Sequence, residues 1–183
     1  MPKKDSNGNI IFIDHPEFTP NLTPREIFQL GSFGGTYWRP ILSDVTKKNY
    51  KNQHLKFPKS WWKDIPESWL TNPNCDISIN KYQVRVGTSL KFWEDKEWIN
   101  EQDPYGWVQW YCNFYNGRRS SDDNRQIKRW LALAGTKGRF RKWLITLINK
   151  KNGKYNDFTI SPKIRQTLQH WGYVLTKNDF HKK

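Results

Sequence analysis

Two carboxylates stand in a field of positive charge: Asp122 and Asp123 are the only acids between residues 118 and 142, a stretch that holds nine lysines and arginines. A carboxylate among arginines stays ionised and can orient water or stabilise a cationic intermediate of base excision. Aspartate at a helix start more often serves as a cap. The surrounding cations, Arg118, Arg119, Arg125, Lys128, Arg129, Arg139, Arg141 and Lys142, suit a surface that holds a polyanion. Arg139, Arg141 and Lys142 open a helix, where each opposes the macrodipole by some tenths of a kcal/mol unless an anion offsets it. A phosphate would do so, and the free amides of the helix start would add donors. Tyr111 and Tyr115, one turn apart with polar tips, are the pair expected to be exposed and to stack on unpaired bases, at about 1–3 kcal/mol per stack.

A second candidate lies in GSFGGTYWRPI, residues 31–41, where Tyr37, Trp38 and Arg39 follow glycines that let a ligand approach the backbone closely. The string has neither the Gly-Lys-Ser/Thr ending of a Walker loop nor a GxGxxG opening a helix, and a tight turn is its plainer reading. Cys75 and Cys112 lack metal-ligand spacing and the four histidines are scattered, so no metal site, cofactor or disulfide is expected. No Ser-His-Asp or Cys-His arrangement stands out.

The elements that must position these groups are clearest after residue 103. Asp103 as cap, Pro104 at the first helical position and Gly117 past the end bound a helix over 105–116 that is aromatic on every face. Ser121 or Asp122 caps a second helix, whose Ile127, Trp130, Leu131 and Ala134 point inward, leaving Arg125, Lys128 and Arg129 outside or on the flank. A third, after Gly138, turns Phe140, Leu144, Leu147 and Ile148 inward, and a fourth runs from Ser161-Pro162 to Gly172. The second and third also fit a helix-turn-helix arrangement presenting Arg139, Lys142 and Thr146 to a groove.

The N-terminal half is less regular. Residues 1–9 read as a disordered tail, 10–13 as a short strand or an apolar anchor laid against the body, and Thr23-Pro-Arg-Glu26 as a capping box. Tyr37-Trp38-Arg39 reads as an extended segment held out of helix by Pro40. Short helical turns are expected at Ser60-Trp-Trp and Pro66-Glu-Ser-Trp, a hairpin around Asn80-Lys81 from the alternation over 77–86, and helical spacing over 89–99 through Leu90, Trp93 and, one turn later, Trp98. The expected class is α+β, mainly helical, with small strands or a hairpin in the N-terminal half and four helices in the C-terminal half. Residues 10–183 would form one compact domain, its helical unit spanning about 103–175.

Composition points to the partner. The 183 residues carry a formal net charge of +14. Residues 1–99 hold fourteen lysines and arginines against eleven acids, and 100–183 hold seventeen against six, so the charge sits in the C-terminal half. Eleven tryptophans imply an aromatic core in place of an aliphatic one. The polar start and the lack of a long apolar run suggest an intracellular protein, nuclear or cytoplasmic, with no transmembrane segment. Nucleic acid is the expected partner, DNA ahead of RNA, through phosphate-dominated contacts with little sequence preference. One alternative is an enzyme acting on nucleic acid, a base-excision glycosylase or a nuclease, with Asp122 or Asp123 as its acid. Another is binding to an anionic membrane surface, because residues 138–151 read as a basic amphipathic helix.

The strings GSFGGTYWRPI, GWVQWYCNFYNGRRSSDDNRQIKRW and SPKIRQTLQHWGY resemble the signature blocks of an uncharacterised protein family of fungi and large DNA viruses, over about a third of the chain. That resemblance implies no activity and gives no residue a role.

Overall fold

The computed structural model describes residues 2–181. Among them, eight α-helices supply most of the regular structure and four two-residue strands form two antiparallel pairs, the mainly helical α+β class expected. In the first pair, β1 (Lys3–Lys4) lies in the stretch expected to be disordered, and β2 (Ile10–Ile11) lies where a short strand was expected. Asp5 orders it by accepting the amide hydrogens of Asn7 and Asn9, both at 2.8 Å, and the Asn9 bond holds its carboxyl below the usual range. Polar composition concealed this Asx-type turn. Lys4 then pins the hairpin to Glu26 at 2.8 Å. That glutamate belongs to α1 (Pro24–Gln29), which starts on the anticipated capping box: the Thr23 amide donates to Glu26 Oε2 and the Glu26 amide to Thr23 Oγ1.

The second hairpin joins β3 (Ile41–Leu42) to β4 (Asn49–Tyr50), and α2 (Lys59–Trp62) and a 3-10 turn at Glu67–Trp69 follow. The hairpin expected around Asn80-Lys81 does not form. Residues Ile77–Ile79 are a 3-10 turn started by Asp76, and the Asn80 side chain accepts from the Gly34 amide at 2.7 Å while donating to the Val84 carbonyl at 2.8 Å. The alternating stretch is thus tied to the glycine loop instead of to a partner strand. Next comes α3 (Leu90–Asp95), capped by Ser89; it stops short of Trp98, which was expected to continue it, because Glu97 takes a left-handed φ of +55°.

Five helices complete the chain: α4 (Trp107–Tyr115), α5 (Asp123–Leu133), α6 (Arg139–Lys150), α7 (Pro162–His170) and α8 (Lys177–His181). The first four are the helices expected, and α8 was not foreseen. Helix α4 is the axis of the core, with Trp110, Tyr111, Cys112 and Phe114 all fully buried. Phe12 and Phe18 pack on its Phe114 ring at 4.9 and 5.7 Å, and Phe18 also meets Trp130 of α5 edge-on at 5.1 Å. On another side, Trp38 packs against Phe28, Phe57, Trp62 and Tyr105.

The early chain also closes on the late chain. Asn21 exchanges two hydrogen bonds of 2.8 Å with the Val174 backbone, and the Asn21 and Leu22 amides donate to the Gly172 carbonyl at 3.0 Å. The Trp130 indole donates to the Trp171 carbonyl at 2.8 Å.

Candidate functional site

Helices α3, α5, α6 and α7 and the glycine loop surround a cleft of about 600 Å³, which adjoins a chamber of about 380 Å³. Phe33, Tyr37, Trp93, His170 and residues 86–88 line both. The loop holds its shape because glycine allows its own chain to come close. At Gly35, with φ +77°, a Cβ would stand 2.2 Å from the Ser68 carbonyl oxygen, and at Gly31, with φ +86°, 1.9 Å from that of Ile79. What approaches these glycines is the protein backbone. Residues 36–39 form a turn closed by the Arg39 amide on the Thr36 carbonyl, not the extended segment expected. It sends Tyr37 and Arg39 to the cavities and buries Trp38 fully in the core.

The floor is aromatic and neutral. Tyr37 donates its hydroxyl hydrogen to the Tyr105 carbonyl at 2.7 Å and accepts from the Gln109 amide at 2.9 Å, satisfying a free amide at the start of α4. Burial pushes its phenol well above the usual value. His170 stacks on Phe33 with ring centroids 3.9 Å apart. Its Nε2 accepts from the Phe33 amide at 3.1 Å and faces the Gln166 amide nitrogen at 3.0 Å. Two donors on Nε2 place the imidazole proton on Nδ1. Burial lowers the His170 pKa to about 3, so the ring is uncharged at neutral pH.

The charge comes from one wall. Arg129 of α5 lies between Trp98 and Trp171, its guanidinium carbon 5.5 and 5.4 Å from their ring centroids. Burial, then repulsion from Arg125, lowers its pKa to about 10, which leaves it cationic at neutral pH. Arg125 and Arg139 line the same cleft, and Arg39 and Arg85 line the adjoining chamber. No aspartate or glutamate is among the residues lining either. Trp107, also in the cleft wall, keeps a buried indole N–H with no hydrogen-bond partner among the described residues.

The expected site residues divide sharply. Tyr111 and Tyr115 are both buried: the Tyr111 hydroxyl donates to the Leu22 carbonyl at 2.8 Å, and the Tyr115 ring packs on Trp61 and Phe12. A helix apolar all round belongs inside, so neither tyrosine can stack on a ligand. Arg118 pairs with buried Asp103, which also accepts from Asn113 and does not cap α4. Arg119 pairs with Asp14 at 2.5 Å and lies 3.9 Å above the Phe114 ring. Arg141 is buried against Asp179 at 2.6 Å. These three arginines hold the fold together and Arg125 pairs with Asp122, whereas Lys128, Arg139 and Lys142 are exposed and form no ion pair among the described residues.

The two acids are internal as well. Asp123 accepts from the Trp110 indole, the Ser120 amide and the Ser120 hydroxyl, each at 2.8 Å. Asp122 accepts from Arg125 at 2.5 and 2.9 Å and from the Gln126 amide at 3.0 Å. Neither is a side-chain cap of its own helix, and neither lines the cleft. Trp93, Trp98, Trp107, Trp171 and His170 were missed. Their signal lay in residues 93–107, where three tryptophans occur with Ile99 as the single aliphatic residue, too few for an ordinary core.

A cleft with flat apolar walls, several guanidinium groups and no carboxylate can hold a flat, anionic or acceptor-rich molecule, and it repels cations. No protein-family model, curated protein or solved structure matches the chain.

Proposed function

We propose that the protein binds nucleic acid by admitting unpaired bases to the tryptophan-lined cleft while arginines and lysines at its wall and rim hold the phosphates. The observation that carries this reading is Arg129 held between Trp98 and Trp171 in a cleft that no acid lines. Aromatic faces accept any base by stacking, and guanidinium groups beside them neutralise the backbone. Exposed Arg139 at the cleft, with Lys142 one turn further along α6, extends the positive track. Binding should be weakly sequence-specific, because stacking and phosphate contact dominate over base-edge recognition. Asp122 and Asp123 are engaged by internal partners, which favours a binding role over base excision or strand cleavage.

Tryptophan fluorescence titrated with single-stranded DNA, single-stranded RNA and duplex DNA tests the reading. Single strands should quench the cleft tryptophans and bind about tenfold or more tighter than duplex, since a stack contributes about 1–3 kcal/mol. Affinity should fall steeply with salt, and Arg129→Ala should weaken it about tenfold at unchanged melting temperature. Salt-independent binding, or equal binding of duplex without quenching, sinks the proposal.

A further inference from the structure

A separate cavity of about 300 Å³ shares no lining residue with the cleft or its side chamber. Leu30, Leu144, Leu168, Val174 and Leu175 make it apolar inside, and Tyr82 and Phe158, edge-on with ring centroids 5.8 Å apart, also line it. Lys81 Nζ stands 5.7 Å from each of those two rings. Among the described residues no hydrogen bond or ion pair engages that ammonium, and partial desolvation lowers the pKa of this otherwise exposed lysine from the usual value.

Arg165 is the second cation of the lining and only 4% exposed. Its Nε donates to the Ile160 carbonyl at 2.9 Å and its Nη2 to the Asp157 carbonyl at 3.0 Å, and its Nη1 has no partner among the described residues. Among the described residues no carboxylate lies within ion-pair distance of it, the Asp157 carboxylate acting on it only from further away, and no acid lines the cavity. Burying the Arg165 guanidinium with no carboxylate in contact is costly, and with the exposed Lys81 ammonium facing the same apolar space the lining suits an anion. Tyr82 and Tyr155 line the same cavity, and their hydroxyls can add donors.

We propose that this cavity binds a small organic carboxylate whose apolar body, a short chain or a single ring, sits among the leucines. The carboxylate takes Arg165 Nη1 and Lys81, supplying the contact counter-charge that Arg165 lacks. A planar monoanion suits one guanidinium edge and one ammonium. The volume lies at the lower end of the range for small-molecule sites, which excludes a nucleic-acid strand.

The test is saturation-transfer NMR and calorimetry with hexanoate and benzoate against hexanol and benzyl alcohol. The acids should bind about tenfold or more tighter than the alcohols, because charge-assisted hydrogen bonds are about twice as strong as neutral ones. Lys81→Gln, at an exposed position that tolerates substitution, should erase that preference, and Lys81→Glu should abolish acid binding with the melting temperature held. Equal binding of acid and alcohol, no acid binding at millimolar concentration, or acid affinity unchanged in Lys81→Glu overturns the proposal. Inorganic phosphate displacing hexanoate better than acetate does would also overturn it, in favour of a phosphate ester. Nucleic-acid binding plays no part in these readouts, so the two proposals fail separately.

Discussion

At the scale of single residues, sequence exposes types and neighbours but not partners. The isolation of Asp122 and Asp123 among arginines was real along the chain, yet in space Asp123 meets the Trp110 indole and Asp122 the side chain of Arg125. His170 shows the opposite case: a histidine without a motif around it becomes a neutral floor tile of the cleft, and its chemistry sets a pH dependence. Its folded pKa of about 3 lies below the unfolded value of about 6.5. The folded state therefore binds fewer protons, and stability present above pH 6.5 is lost as pH falls through the window down to 3. Between pH 6.5 and 5, before most carboxylates titrate, the loss should reach about 1–2 kcal/mol. His54, whose pKa burial also lowers, acts in the same direction. His170→Gln keeps an acceptor for the Phe33 amide and should flatten its share of the slope in urea unfolding at the two pH values. An unchanged slope contradicts the buried neutral ring.

At the scale of elements, capping and periodicity located α1, α5, α6 and α7, because Thr23-Pro24, the inward apolar stripes and Gly172 are local signals. Rotation about the axis was harder. Arg125 and Arg129 were expected on the outer face of α5, but aromatic neighbours from elsewhere in the chain turn that flank into a cleft wall. The alternation at 77–86 misled because a strand needs a partner, and Asn80 bonds to the glycine loop instead. Helix α6 has its apolar face packed through Leu144 and Ile148, so laying that face on a membrane would require undocking it. Among the described residues no helix is long and apolar enough to cross a membrane. Its exposed side carries Arg139, Lys142 and Thr146, and Trp143 is 55% exposed. Substituting Arg139 and Lys142 together by alanine should reduce the salt slope of single-strand binding by about 1.4, the share of two phosphate contacts. Stability should stay within about 0.5 kcal/mol of the parent, as at most exposed sites. A slope that does not move places the phosphates elsewhere.

At the scale of the whole molecule, composition foretold an aromatic core and a basic C-terminal half, but not which rings the core would leave to the cleft. That choice depends on contacts between distant residues, such as Phe33 on His170, which no window of sequence contains. The same long-range character governs how the chain can be made. Phe12, Phe18 and Asn21 find their partners at Phe114, Trp130 and Val174. On a ribosome the early segment therefore emerges long before anything exists for it to dock on, with two phenyl rings bare to water. Closing the core waits until α7 has cleared the exit tunnel, so nascent chains stalled before residue 171 should remain protease-sensitive and engage chaperones, whereas released chains should not.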